Sequence, residues 1–172
     1  MTSLYDFSVA NYQQTLTAVA AFLDKAAGHF ATQKANLEEI VETRLFPDML
    51  PFRFQIQSVA HHSLAAIEGV KSGVFLPPSN LAPHSFAELQ KLIGDTRDTL
   101  SKLKPDEINA RAGKDVVFEI GGRKLPFIAE NFVLSFSLPN FYFHATTAYD
   151  ILRQKGVPLG KRDFVGMPRI KM

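Results

Sequence analysis

Asn140 and His144 are the residues of this chain best placed to do chemistry together. They lie in the stretch Leu138-Pro139-Asn140-Phe141-Tyr142-Phe143-His144-Ala145-Thr146-Thr147-Ala148-Tyr149. A helix turns about 100° per residue, so side chains at i and i+4 point the same way, here with Thr147 beside them. Phe141, His144, Ala148, Ile151 and Leu152 fall on one arc of roughly 100°. Periodicity therefore puts His144 on the buried face and Asn140 at its margin. Buried imidazole and amide groups require hydrogen-bond partners. Two readings are open. His144 is a core histidine bonded to another helix, or Asn140 and His144 line a polar cavity for a metal or a small molecule. Two ligands at i and i+4 are a known helical metal geometry, although asparagine is a weak ligand.

Groups facing this pair must come from another helix. His61-His62 is the obvious source. Adjacent helical residues point about 100° apart, so both cannot face one ion. The apolar stripe around them runs through Ile56, Val59 and Ser63, which leaves His62 at its flank and His61 nearly opposite. A surface pair is the simpler reading, and His62 is the better inward candidate. Gln55 and Gln57 flank Ile56, and one of them adds a polar group to the interior. Tyr142 and Tyr149, seven apart, share a flank of the last helix, as interface or cavity-rim residues do, with Phe141 beside them. His84 precedes a helix cap and belongs to a loop. His29 falls in a last helical turn, where an imidazole faces the negative end of the dipole.

The elements that position these residues are legible from period and punctuation. Asp6 and Ser8 are candidate caps for a helix with apolar residues at Val9, Tyr12, Leu16, Val19 and Leu23, ending near Ala31. Asn36-Leu37-Glu38-Glu39 opens a short helix to about Leu45. A second long helix runs from Pro51 to Lys71 and stops at Gly73. Residues 73–83, with Pro77, Pro78 and Pro83, read as an ordered loop. Ser85-Phe86-Ala87-Glu88 caps a third long helix that ends before Pro105, with one more turn at Asp106–Asn109. Val116–Ile120, Gly121-Gly122 and Arg123–Phe127 form a β-hairpin, about 116–127, with Pro126 at an edge that both strands offer. The helical period returns near Ala129. Pro139 kinks or divides that helix, and Gly156 ends it. Residues 157–172 form a tail anchored by Phe164 and Val165. The sum is a single domain over 1–172, mainly α, a four-helix bundle with one hairpin before its last helix.

Composition narrows the function classes. At 172 residues the chain suits one domain, and fifteen of its nineteen aromatics are Phe, which suits a core of large apolar rings. The formal charge of +2 is too mild for nucleic acid. No cysteine is present, which excludes disulfides, thiolate catalysis and Cys-based zinc sites and favours a reducing, cytoplasmic location. The N-terminal residues predict no signal peptide, and no apolar run approaches the roughly 20 residues that span a bilayer. A nucleophile elbow, phosphate loop or dinucleotide fingerprint is missing as well.

The stretch Leu138–Tyr149, followed by Gly156-Val157-Pro158-Leu159-Gly160-Lys161-Arg162-Asp163-Phe164, resembles the signature of an uncharacterised domain-of-unknown-function family within the DinB/YfiT-like metalloenzyme superfamily. Pro47-Asp48-Met49 and Gln55-Ile56-Gln57 are similar to its second-helix region. The resemblance implies a DinB/YfiT-like four-helix bundle, commonly a homodimer. Superfamily members hold a divalent metal, such as nickel or zinc, with one histidine from the second helix and an HxxxH pair from the last. Some act as thiol-dependent S-transferases or hydrolases. By this pattern His144 is the later member of the pair, Asn140 stands at the earlier position, and His61 or His62 is the second-helix ligand. The resemblance thus implies a degenerate metal site. Three functions follow as expectations: a small-ligand-binding or non-catalytic protein, a metal-dependent enzyme, or a structural dimer.

Overall fold

The computed structural model describes residues 2–78 and 82–171. Among these, four helical rods form the bundle. The first is α2 (Val9–Thr32), preceded by the short α1 (Leu4–Phe7) and followed by α3 (Leu37–Val41). The second comprises α4 (Phe52–Ala60), a π-helical turn π1 (His61–Ala65) and α5 (Ala66–Ser72). Next comes the third, α6 (Phe86–Ser101), with the single turn α7 (Pro105–Asn109) after it. The fourth comprises α8 (Ala129–Asn131), a second π-helical turn π2 (Phe132–Ser137) and α9 (Leu138–Gln154). A short α10 (Lys161–Val165) closes the tail.

Asp6 and Ser8, the expected caps of the first long helix, do not cap it: Ser3 caps α1 with Asp6 closing its capping box, and the Ser8 hydroxyl donates to the Leu4 carbonyl instead. Later caps act where the sequence puts them. Ser85 accepts from the Glu88 backbone and the Glu88 carboxylate returns to Ser85, completing a capping box. Gly73 ends α5 at φ 86, a left-handed conformation that a Cβ would disfavour. The short third helix stops at Val41 rather than near Leu45. Pro139 divides the last rod as expected. It supplies no N–H to the turn before it, and that turn is the widened π2.

The sheet is larger than a hairpin. β2 (Asp115–Ile120) and β3 (Arg123–Ile128) pair antiparallel through a Gly121-Gly122 turn in which both residues have positive φ. Inside the proline-rich segment, β1 (Val74–Phe75) adds to β2 in parallel, Val74 opposite Val117. The strand order is β1-β2-β3, so β2 is central and only β3, which carries Pro126, is an edge of the hairpin. The rest of that segment's loop expectation includes residues 79–81, which lie outside the described residues. β1 can run close to α5 because residue 69 is glycine. A Cβ there would meet the Phe75 Cβ at 3.0 Å and the Val74 carbonyl at 3.3 Å.

Core packing explains the phenylalanine content. Phe52 stacks on Phe86 at 5.8 Å between the second and third rods. Phe75, Phe118, Phe132 and Phe136 form a second cluster that seats the sheet on π2. In the tail, Phe164 packs edge-on to Tyr149 at 5.6 Å, and the exposed Val165 is held through its carbonyl by Gln14.

Candidate functional site

The second and fourth rods pack against each other, and their facing polar side chains meet around His144. From α4, Gln55 is 2% exposed. Its Nε2 donates to the Leu50 carbonyl at 2.8 Å, which fixes the amide orientation because a carbonyl only accepts. The Gln55 Oε1 therefore faces His144, 2.8 Å from Nδ1. An amide oxygen cannot donate, so His144 carries its proton on Nδ1 and leaves the Nε2 lone pair free. Burial lowers the His144 pKa to about 4, so the ring is neutral at pH 7.

His62 lies next to it. The two rings stand 5.7 Å apart and only 14° from parallel. Phe75 and Phe136 cover His62 at 5.9 Å and 5.8 Å. Its pKa is lowered to about 3, first by burial and then by the neighbouring His61 and His144. Its Nδ1 is buried with no partner among the described residues. Phe54 and Phe143 stand edge-on to His144 at 5.7 Å and 5.2 Å. The result is a pair of neutral imidazoles in an aromatic frame.

The two π turns build this frame. At π1 the Ala66 N–H bonds the His61 carbonyl, five residues back, and not that of His62. The freed His62 carbonyl accepts from Ser137 Oγ at 2.6 Å, at the end of π2. Because Ser137 donates there, Tyr12 OH must be the donor in its 2.7 Å bond to Ser137 Oγ. Burial pushes the Tyr12 phenol well above its ordinary value. This chain of hydroxyls pins the three rods together beneath His62. π turns are rare and concentrate at functional sites. The sequence offered only a weak sign of this network, in a serine and a tyrosine set at otherwise apolar helix positions.

The other expected site residues are distributed. His61 touches His62 at 5.4 Å but lines a cavity on the α6 side of the second rod. Asn140 spends its amide on its own helix, donating to the Phe136 carbonyl at 2.8 Å. Thr147 is buried and donates to the Phe143 carbonyl at 2.8 Å. Phe141 is core, edge-on to Tyr12 at 5.0 Å. Tyr142 is exposed beside Phe141. Tyr149 is turned to Phe22 and Phe164, away from His144. Both glutamines flanking Ile56 are buried, Gln55 at His144 and Gln57 at His84. His29 has its Nε2 buried without a partner at the end of α2, beside Phe30.

The sequence pattern of the family described as Domain of unknown function (DUF1993) matches residues 4–165. The chain belongs to the DUF1993 family. It is also similar to the crystal structure of a DinB family member protein from Shewanella denitrificans, with a TM-score of 0.82 and 25% identity over 98% of this chain and 95% of that one. No curated protein matches it. Among the described residues, no helix of this DUF1993 protein is long and apolar enough to cross a membrane.

A divalent metal of the superfamily type can be tested against these residues. Such a site takes three protein ligands converging on one point. The His62 and His144 rings are near-parallel, 5.7 Å between centroids. The third position is Asn140, a neutral amide whose Nδ2 donates to Phe136 and whose oxygen is a weak ligand beside histidine. Among the described residues no group of three His, Cys, Asp or Glu side chains could hold an ion. As arranged, the donor set does not fit the group.

Proposed function

We propose that this DUF1993 protein is a non-catalytic, small-ligand-binding bundle in which the superfamily's metal-ligand positions serve hydrogen bonding. One observation carries the reading: the position expected to supply the second ligand of the last helix is Asn140, whose Nδ2 donates to the Phe136 carbonyl at 2.8 Å and which has only a neutral amide oxygen, a weak ligand beside histidine, to offer an ion. The neutral state of both imidazoles and the absence of a carboxylate or nucleophile among their hydrogen-bond and ring contacts agree with it. The lack of cysteine supports a reducing, cytoplasmic setting. Metal analysis of protein purified without a histidine tag, then after soaking with nickel or zinc, is the test. Substoichiometric metal is expected in both samples. One equivalent of metal that disappears in His144→Ala would overturn the proposal.

A second reading has its own observation. Metal-bound histidines commonly donate their other N–H to a fixed acceptor, and the Gln55 Oε1 at His144 Nδ1 is such an arrangement. A metal-dependent S-transferase or hydrolase would use the free His144 Nε2 with His62 or His61. The same metal analysis separates the two. A homodimer through the exposed Tyr142 and Phe143 on α9 goes with either reading.

A further inference from the structure

A second site lies across Phe75 from the histidine pair. A cavity of about 590 Å³ opens between the second rod, α6 and the β1 segment. This is the size range of small-molecule sites, which are mostly apolar with a few polar groups. Leu64, Phe75 and Leu92 are among its walls, and Gln57, His61 and Glu68 contribute its polar character.

Gln57 and His61 each leave a buried polar atom without a partner among the described residues. Gln57 is 8% exposed, and its Nε2 donates to the Ala82 carbonyl at 2.8 Å and lies 2.8 Å from His84 Nδ1. That orientation leaves Oε1 as a buried acceptor with no partner among the described residues. The His61 Nε2 is likewise buried with no partner among the described residues. Burial lowers the His61 pKa, and the ring is neutral at pH 7. The one carboxylate on the lining, Glu68, is paired with Lys71 at 3.4 Å. Neither atom is met by a partner among the described residues, and the lining residues include no lysine or arginine to hold an anion.

We infer that this cavity binds an uncharged, largely apolar small molecule whose polar end is a hydroxyl, as in an alcohol or phenol, that donates to Gln57 Oε1 and hydrogen-bonds His61 Nε2. Both atoms are closed to water in the free protein, so engagement takes a side-chain rotation. The inference rests on the ligand-binding reading and locates it. It does not involve His144, so its failure leaves the metal test standing, and the converse holds.

The test titrates 2-naphthol and 2-naphthoate into the full-length protein by calorimetry, with the ¹⁵N shift of His61 Nε2 followed by NMR. Saturable naphthol binding, naphthoate at least tenfold weaker, and a shift of Nε2 with naphthol are expected. His61→Phe should weaken naphthol about tenfold, equivalent to about 1.4 kcal/mol. Ala65→Phe, which fills the cavity from a half-buried position, should abolish binding, while His144→Ala should leave it unchanged. No saturable naphthol binding, equal binding of naphthoate, or unaltered binding in a folded Ala65→Phe would overturn the inference. If His61→Phe does not fold, the Nε2 shift in the wild-type protein decides: an unmoved resonance at saturation sinks it.

Discussion

Acid should loosen this protein through its two stacked histidines before most carboxylates titrate. His62 and His144 have folded pKa values of about 3 and about 4, against an ordinary 6.5. Each ring is neutral in the fold and protonated in the unfolded chain below pH 6.5, so unfolding takes up protons. Their stabilisation is whole above pH 6.5 and declines as pH falls toward the folded values. At pH 5 the linkage amounts to about 2 kcal/mol per ring, or about 4 kcal/mol for both. Both rings keep some solvent contact and part of the His62 shift comes from His144, so about half of that, some 2 kcal/mol, is the working figure. For a chain of this size it corresponds to a melting temperature about 4–8 °C lower at pH 5 than at pH 7.5. Denaturant curves in chelator-treated buffer across this range would measure it, beside the double variant His62→Gln, His144→Gln. His61, also depressed by burial, remains in both proteins and sets the residual slope. The double variant should lose most of the pH dependence. Parallel stability curves for the two proteins would refute the reasoning.

Two other substitutions probe the frame. Ser137→Ala removes the hydroxyl that donates to the His62 carbonyl and accepts from Tyr12, leaving two buried groups unpaired. It should destabilise by about 2–4 kcal/mol in urea unfolding, and a loss below 1 kcal/mol would mean that water replaces it. Gly69→Ala sets a Cβ 3.0 Å from the Phe75 Cβ. Overpacking of this kind costs about 1–3 kcal/mol. The loss should be accompanied by faster amide exchange at Val117, whose N–H bonds the Gly73 carbonyl; unchanged exchange there would show that α5 and β1 move together.

The helical rods were readable because their signals are local. The Ser85–Glu88 box, the left-handed Gly73 and the break at Pro139 each act within a few residues. Strand β1 was not readable. It has two residues, sits among prolines, and exists only because Val74 finds Val117 forty-three positions away. Non-local pairing of that kind leaves no trace in the periodicity of a short run. The edge assigned to β2 failed for the same reason.

The site shows a different limit. Periodicity was enough to turn His144 inward, but it could not place the partners that give an inward histidine its chemistry. Asn140 is on the expected face, yet its amide reaches the carbonyl four residues back, a local bond that always competes with a tertiary one. His61 and His62 open an irregular turn that the periodicity does not announce. π1 inserts one residue into the turn, which advances the face of everything beyond it by about 100°. The same widening releases the His62 carbonyl to Ser137, so the irregularity that blurred the sequence reading is what joins the second rod to the fourth. Reading a buried histidine in such a bundle therefore means finding the π turns first, and a proline two residues past a buried serine, as at Ser137-Leu138-Pro139, is where this chain announces one.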